Sequence, residues 1–103
     1  MAKDAPSAEV VEQLAVFFRR NGYVRRPNPD RLAAEGYKGY KKGDEVRLVA
    51  DSRAELRAIR RLLRAAGFDP GRPFAKARQW RQPLYGRNAV SRFLALVDEA
   101  QDA

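Results

Sequence analysis

The stretch Leu14-Ala15-Val16-Phe17-Phe18-Arg19-Arg20-Asn21-Gly22-Tyr23-Val24 limits the folds open to this chain more than any other. It reads as the second half of a helix that begins at Ser7, is stopped by Gly22, and runs at once into a strand. Val10, Val11, Leu14, Phe17 and Phe18 cover more than the ~100° apolar stripe an ordinary surface helix buries, and Ala15 and Val16 widen it further. Such a helix needs cover on two sides. It is therefore central in its own domain or central at a homodimer seam, with Val10, Leu14 and Phe17 as the seam candidates.

The ends of this helix are equally legible. Ser7 is placed to cap it, Glu9 and Glu12 suit the positive N-terminal end, and Arg19 and Arg20 suit the negative C-terminal end. Gly22 is expected to supply a left-handed exit. Tyr23-Val24-Arg25-Arg26 is then extended, and Pro27-Asn28-Pro29-Asp30 breaks it. Arg31 to Glu35 has the composition of one helical turn closed by Gly36.

A hairpin is expected over Tyr37 to Ala50, turning at Gly43-Asp44. In its second arm Val46, Leu48 and Ala50 point one way, and Glu45, Arg47 and Val49 the other. Ser52-Arg53-Ala54-Glu55 forms a capping box that opens a second helix. Leu56, Ile59, Leu62, Leu63 and Ala66 recur at helical spacing, Gly67 ends the helix, and Phe68 is placed to fold back onto Leu63. Arg72 to Arg87 reads as two strands joined near Gln79 or Trp80, with Phe74, Lys76, Arg78 and Trp80 on one parity. Pro83 cannot donate to a ladder, which points to an edge or a bulge. A third helix follows, capped by Asn88, with Val90, Phe93, Leu94 and Val97 as its buried stripe.

These elements give the order αββαββα. The fold class is α+β: a four-stranded antiparallel sheet with helices on one face and an open basic face. Residues 1–6 read as a flexible N-terminus, 7–97 as a single domain and 98–103 as a polar C-terminal tail. One hundred and three residues suffice for one hydrophobic core and not for two.

The absence of cysteine and histidine excludes disulfides, zinc sites built on those residues, cysteine nucleophiles and any Ser-His-Asp triad. No run is long and apolar enough to span a membrane, and the N-terminus lacks a secretory pattern, so the expected address is cytoplasmic. No cofactor and no small-molecule substrate is indicated. The net charge of +8 points instead to a polyanionic partner. Charge is also segregated: from Pro70 to Val97 there is no acidic residue, while Arg72, Lys76, Arg78, Arg81, Arg87 and Arg92 all fall inside.

The opening stretch resembles the signature helix of LAGLIDADG homing endonucleases, running into glycine, aromatic, aliphatic at Gly22-Tyr23-Val24. The second helix ending in Gly67-Phe68 and the segment from Trp80 to Val97 are similar to that family's middle helix and to its last strand and helix. The resemblance implies the αββαββα order and a sheet that lies on nucleic acid as a basic saddle. It also implies a divalent metal held by the signature's last acidic residue. That position is Asn21 here; the other acidic position is Arg19, and the glycine of the helix seam is Val16. A neutral amide is a poor ligand where a carboxylate must balance metal charge. The resemblance therefore implies a non-cleaving relative used for binding, and whether the chain is an enzyme stays open with Asn21 arguing against it.

The residues alone lead to the same class. Lys38, Tyr40, Lys42, Arg47, Lys76, Arg78, Trp80 and Arg81 are the candidate nucleic-acid-binding set on the sheet, DNA before RNA. Tyr37, Phe74 and Tyr85 join Tyr40 and Trp80 as stacking candidates for a single strand. Arg53, Arg57, Arg60, Arg61 and Arg64 form a basic stripe on the second helix, the candidate for secondary phosphate contacts. Two alternatives compete. One is a metal-dependent DNA endonuclease of the homing type, with Asp30, Glu35, Asp44, Glu45 and Asp51 as possible ligands. The other is a protein-interaction module whose basic face meets an acidic partner.

Overall fold

The computed structural model describes residues 6–26 and 43–102, and the expected turn at Arg31–Glu35 and the first arm of the hairpin, with Lys38, Tyr40 and Lys42, lie outside them. Helix α1 spans Ala8–Asn21 and Ser7 caps it, its hydroxyl accepting from the Val10 amide at 3.2 Å. Gly22 ends the helix in a manner the sequence did not foretell. Its backbone is extended, with φ −73° and ψ 159°, not left-handed. Glycine is needed there for room: a Cβ would meet the Phe18 ring at 2.7 Å and Phe18 backbone atoms at 2.9 Å.

Strand β1 follows at Tyr23–Arg25 and strand β2 at Glu45–Ala50. The two pair antiparallel, with Tyr23 opposite Arg47 and Arg25 opposite Glu45. Helix α2 spans Arg53–Ala65 behind Ser52, whose hydroxyl accepts from the Glu55 amide at 3.1 Å. The expected reciprocal bond is displaced by one residue, because Glu55 accepts from the Asp51 amide at 2.8 Å. Gly67, with φ +88°, is left-handed as a helix exit requires, and the Phe68 amide returns to the Leu63 carbonyl at 2.9 Å.

Strands β3 (Phe74–Lys76) and β4 (Gln79–Tyr85) form a hairpin, and helix α3 spans Arg87–Asp102. The hairpin turns at Ala77-Arg78, two residues earlier than Gln79 or Trp80. Helix α3 starts one residue before Asn88: the Gly86 carbonyl takes the Val90 amide at 2.9 Å, so Asn88 is not the cap. It also continues through Asp98 to Asp102, where a tail was expected.

The sheet is antiparallel throughout with strand order β1-β2-β4-β3. Pro83 therefore lies in an inner strand and is buried. This is tolerated because its carbonyl accepts from Gly71, so its nitrogen faces that same side, where β3 has already ended. One face of the sheet presents Val46, Leu48, Ala50 and Leu84 to a single core that includes Leu14, Ala15, Ile59, Leu63, Val90 and Phe93. Helix α1 packs against both α2 and α3 as well as β2. The two-sided cover that its composition demands is thus supplied within one chain. Among the described residues no helix is long and apolar enough to cross a membrane.

One ion pair ties these layers together. Arg20, in the last turn of α1, meets both oxygens of Glu55 at 2.8 and 3.1 Å and donates to the Val49 carbonyl at 3.1 Å. The Arg20 hydrogen bonds, joined by the one from the Asp51 amide, hold the Glu55 carboxyl down from an ordinary 4.5 to about 2. A carboxyl lowered on folding stabilises fully above its unfolded value, and that contribution is lost as pH falls. Both partners are about one-third exposed, so the net value is about 1 kcal/mol. Acid titration of the unfolding free energy should show this loss between pH 4.5 and about 2, and R20Q should remove most of it, leaving the part due to the Asp51 amide.

Candidate nucleic-acid interface

The strand registers decide which side chains share the face of the sheet away from the helices. Tyr23 and Arg25 of β1, Glu45, Arg47 and Val49 of β2, Gln79, Arg81, Pro83 and Tyr85 of β4, and Phe74 and Lys76 of β3 have that parity. Arg78 stands at the hairpin tip beside them. Glu45 is the one acidic residue among the described residues of this parity. Of the expected sheet set, Arg47, Lys76, Arg78 and Arg81 are therefore brought together here.

Trp80 is not. The two-residue turn at Ala77-Arg78 reverses the parity read from the sequence, so Trp80 is directly opposite Ala50 and Ala75 and packs against the helix-side core. The Arg53 guanidinium lies 5.3 Å from its ring centre. Phe74 does keep the outward parity, but Arg47 lies 5.0 Å from its ring centre. Two of the stacking candidates thus already have a cationic neighbour. Tyr85 stays accessible, 49% exposed.

The centre of the outward face is not bare, which corrects the expectation of an open surface. Glu45 and Val49 are only 4% and 3% exposed. Glu45 accepts from Arg47 Nε at 2.6 Å and lies 3.9 Å from Arg25. Arg47 also reaches the Tyr23 hydroxyl at 3.4 Å. Burial acts to raise the Tyr23 pKa, yet hydrogen bonds and charge from Arg47 and Arg81 outweigh it and leave the phenol below its ordinary value. Arg81 donates to Gln79 Oε1 at 3.1 Å, and its Nε is buried without a hydrogen-bond partner. Exposed Arg25 and Lys76 flank this cluster. Tyr23 and Arg25 were absent from the sequence-based set. Their signal was present in Tyr23-Val24-Arg25, where the apolar residue turns inward and its two neighbours must turn out.

The basic stripe of α2 divides. Arg57, Arg61 and Arg64 are exposed. Arg60 instead turns inward and donates to the Gly71 carbonyl at 3.0 Å and to Gln82 Oε1 at 2.7 Å. Gln82 is fully buried and donates in turn to the Gly71 and Pro83 carbonyls. Arg60 therefore satisfies a buried amide, and it is a structural residue where a phosphate contact was expected. The stripe lies on the helix layer, so it cannot meet the same ligand surface as the outward sheet face.

The seam candidates also divide. Leu14 is 1% exposed and sits in the core, so it has no surface to offer a second copy. Val10 and Phe17 are half-buried against the same core, and Val16 is the large apolar residue of α1 that is exposed, at 56%. Of the acidic candidates, Asp44 pairs with Arg26 at 2.6 Å, Glu45 with Arg47, and Asp51 accepts from Gln79 at 2.8 Å. No group of three or more metal-ligating side chains occurs among the described residues. Asp30 and Glu35 lie outside them.

The hairpin tip carries backbone strain. Ala77 and Arg78 have φ of 49° and 68°, the left-handed pair of a type I′ turn that asparagine and glycine fill without strain. Replacing Ala77-Arg78 by Asn-Gly should stabilise the domain by about 1 kcal/mol, once the extra freedom of glycine in the unfolded chain is set against the relief. A rise in the urea midpoint at constant slope is the expected observation.

Comparison of the chain with protein-family models, with curated proteins and with solved structures gave no match.

Proposed function

We propose that the chain is a nucleic-acid-binding domain that engages DNA through the outward face of its sheet and does not cut it. The observation that carries this reading is the shared parity of Arg25, Arg47, Lys76 and Arg81, with Arg78 at the adjoining tip and Glu45 as the one described carboxylate between them. A net charge of +8 supplies long-range attraction to a polyanion, and exposed Arg25, Lys76 and Arg78 on this side support phosphate contact there. A double strand fits better than a single strand, since Trp80 is turned to the helices and Phe74 has Arg47 beside its ring. B-form DNA offers a major groove wide enough for a β-ribbon, whereas that of A-form RNA is too narrow. Three described carboxylates of the nuclease alternative already have arginine or glutamine partners, which favours binding without metal-dependent cleavage.

The test is binding of a fluorescent duplex over a salt series. Log affinity should fall linearly with log salt, with a slope of about −3 to −4 for four phosphate contacts. Absence of binding at low salt would remove the reading.

A further inference from the structure

We propose that Tyr23, Arg47 and Arg81 form a preformed subsite for a single phosphate-class oxyanion on the outward face of the sheet. This rests on the nucleic-acid reading for the source of the ligand, which is then a backbone phosphodiester, and on side-chain geometry for the subsite itself. The three residues come from adjacent strands. Tyr23 is directly opposite Arg47 in the β1–β2 ladder, and Arg81 belongs to β4, which pairs with the other edge of β2.

The cluster is incomplete as a set of charges. Arg47 has a carboxylate, Glu45, at 2.6 Å. Among the described residues the side-chain acceptor for Arg81 is the neutral Gln79 Oε1 at 3.1 Å, and its charge also acts on the Tyr23 hydroxyl. Its Nε is excluded from solvent and unpaired, and an unsatisfied buried donor on a charged group costs more than a neutral one. Two guanidiniums beside one uncharged hydroxyl repel each other, and an oxyanion at their terminal nitrogens would relieve that repulsion. The phenol can accept from an arginine and still give its own proton to the anion, so the site offers donors of two kinds.

The site is also held in place before any ligand arrives. Arg47 is fixed at Nε by Glu45 and lies over Phe74, and its side chain is 13% exposed. A guanidinium fixed on two sides loses little further freedom on binding. Glu45 is itself nearly buried against Arg47 and sets a limit on the ligand. It neutralises one guanidinium, which leaves an excess suited to the single negative charge of a phosphodiester.

The subsite is tested with inorganic phosphate and with a 12-base-pair duplex, each titrated into the intact chain while the arginine Nε–H and tyrosine ring NMR signals are followed. Saturable shifts of Arg81, Arg47 and Tyr23 with millimolar phosphate are expected, absent in R81Q and weakened severalfold in Y23F. R81Q should bind the duplex about eightfold more weakly at 0.1 M salt, with a salt slope shallower by about one. Y23F keeps the ring and supplies an independent reading if R81Q loses its native amide spectrum. No saturable shift of these signals in the wild-type chain would overturn the subsite, even if the duplex bound elsewhere. Phosphate shifts without any duplex binding at low salt would keep the subsite and remove the nucleic-acid reading instead.

Discussion

Replacing Phe93 by alanine is expected to cost about 4 kcal/mol, from lost burial and the cavity left behind. Phe93 is completely buried on α3, at the point where the three described helices converge. Its ring meets Phe18 of α1 edge-on at 5.5 Å and Phe68, just beyond α2, at 6.0 Å. Each such pair adds about 0.5–1.5 kcal/mol beyond area burial. Removing the ring therefore takes away the aromatic contacts that link α3 to α1 and to the exit of α2. A domain of this size has about 5–15 kcal/mol in total, so the variant should be marginal, with its thermal midpoint lowered by about 20 °C. Urea unfolding followed by circular dichroism checks the value. Val16→Ala is the control: Val16 lies on α1 but is 56% exposed, and its loss should stay below about 0.5 kcal/mol.

Removing charge from the sheet should weaken DNA binding far more than removing the same charge from α2. R25Q/K76Q/R78Q acts on exposed residues of the outward face and its tip, and R57Q/R61Q/R64Q on exposed residues of the helix layer. Each set subtracts the same net charge, so the contrast isolates position. A phosphate contact contributes about 0.9 to the salt slope, or about eightfold in affinity at 0.1 M relative to 1 M salt. Three lost contacts give a loss of roughly 500-fold. The helix set should lose less than about fivefold, because screening reaches about 10 Å at that salt. Parallel fluorescence anisotropy titrations measure both, and equal losses would mean that bulk charge, not the sheet, holds the DNA.

The sequence and the structure agree where a local pattern decides the outcome. Helix α2 carries cap, apolar period and terminal glycine within one segment, and no tertiary contact is needed to read them. The apolar excess of α1 was equally plain, but its meaning was not. Whether Leu14 faces a second copy or a neighbouring helix depends on where α2 and α3 lie, which no local pattern encodes. The misplacement of Trp80 has a narrower cause. Ala77-Arg78 lacks the asparagine or glycine that marks a tight turn, so the reversal was placed two residues late and Trp80, read on the same parity as Phe74 and Lys76, falls on the opposite face. Arg60 shows a third kind of limit. It looks like its neighbours in the stripe, and only the buried Gln82 on a distant strand gives it a different task. Tyr23 and Arg25 were missed because β1 is three residues long, too short for alternation to stand out.

Binding of DNA by the outward sheet face is tested most directly by mapping the surface that meets a duplex. A ¹H–¹⁵N spectrum of the chain, titrated with a short duplex at low salt, should show its largest changes at Tyr23, Arg25, Arg47, Lys76, Arg78 and Arg81. Arg57, Arg61 and Arg64 should stay nearly unmoved. Changes concentrated on α2 with the sheet residues silent would contradict binding through the sheet.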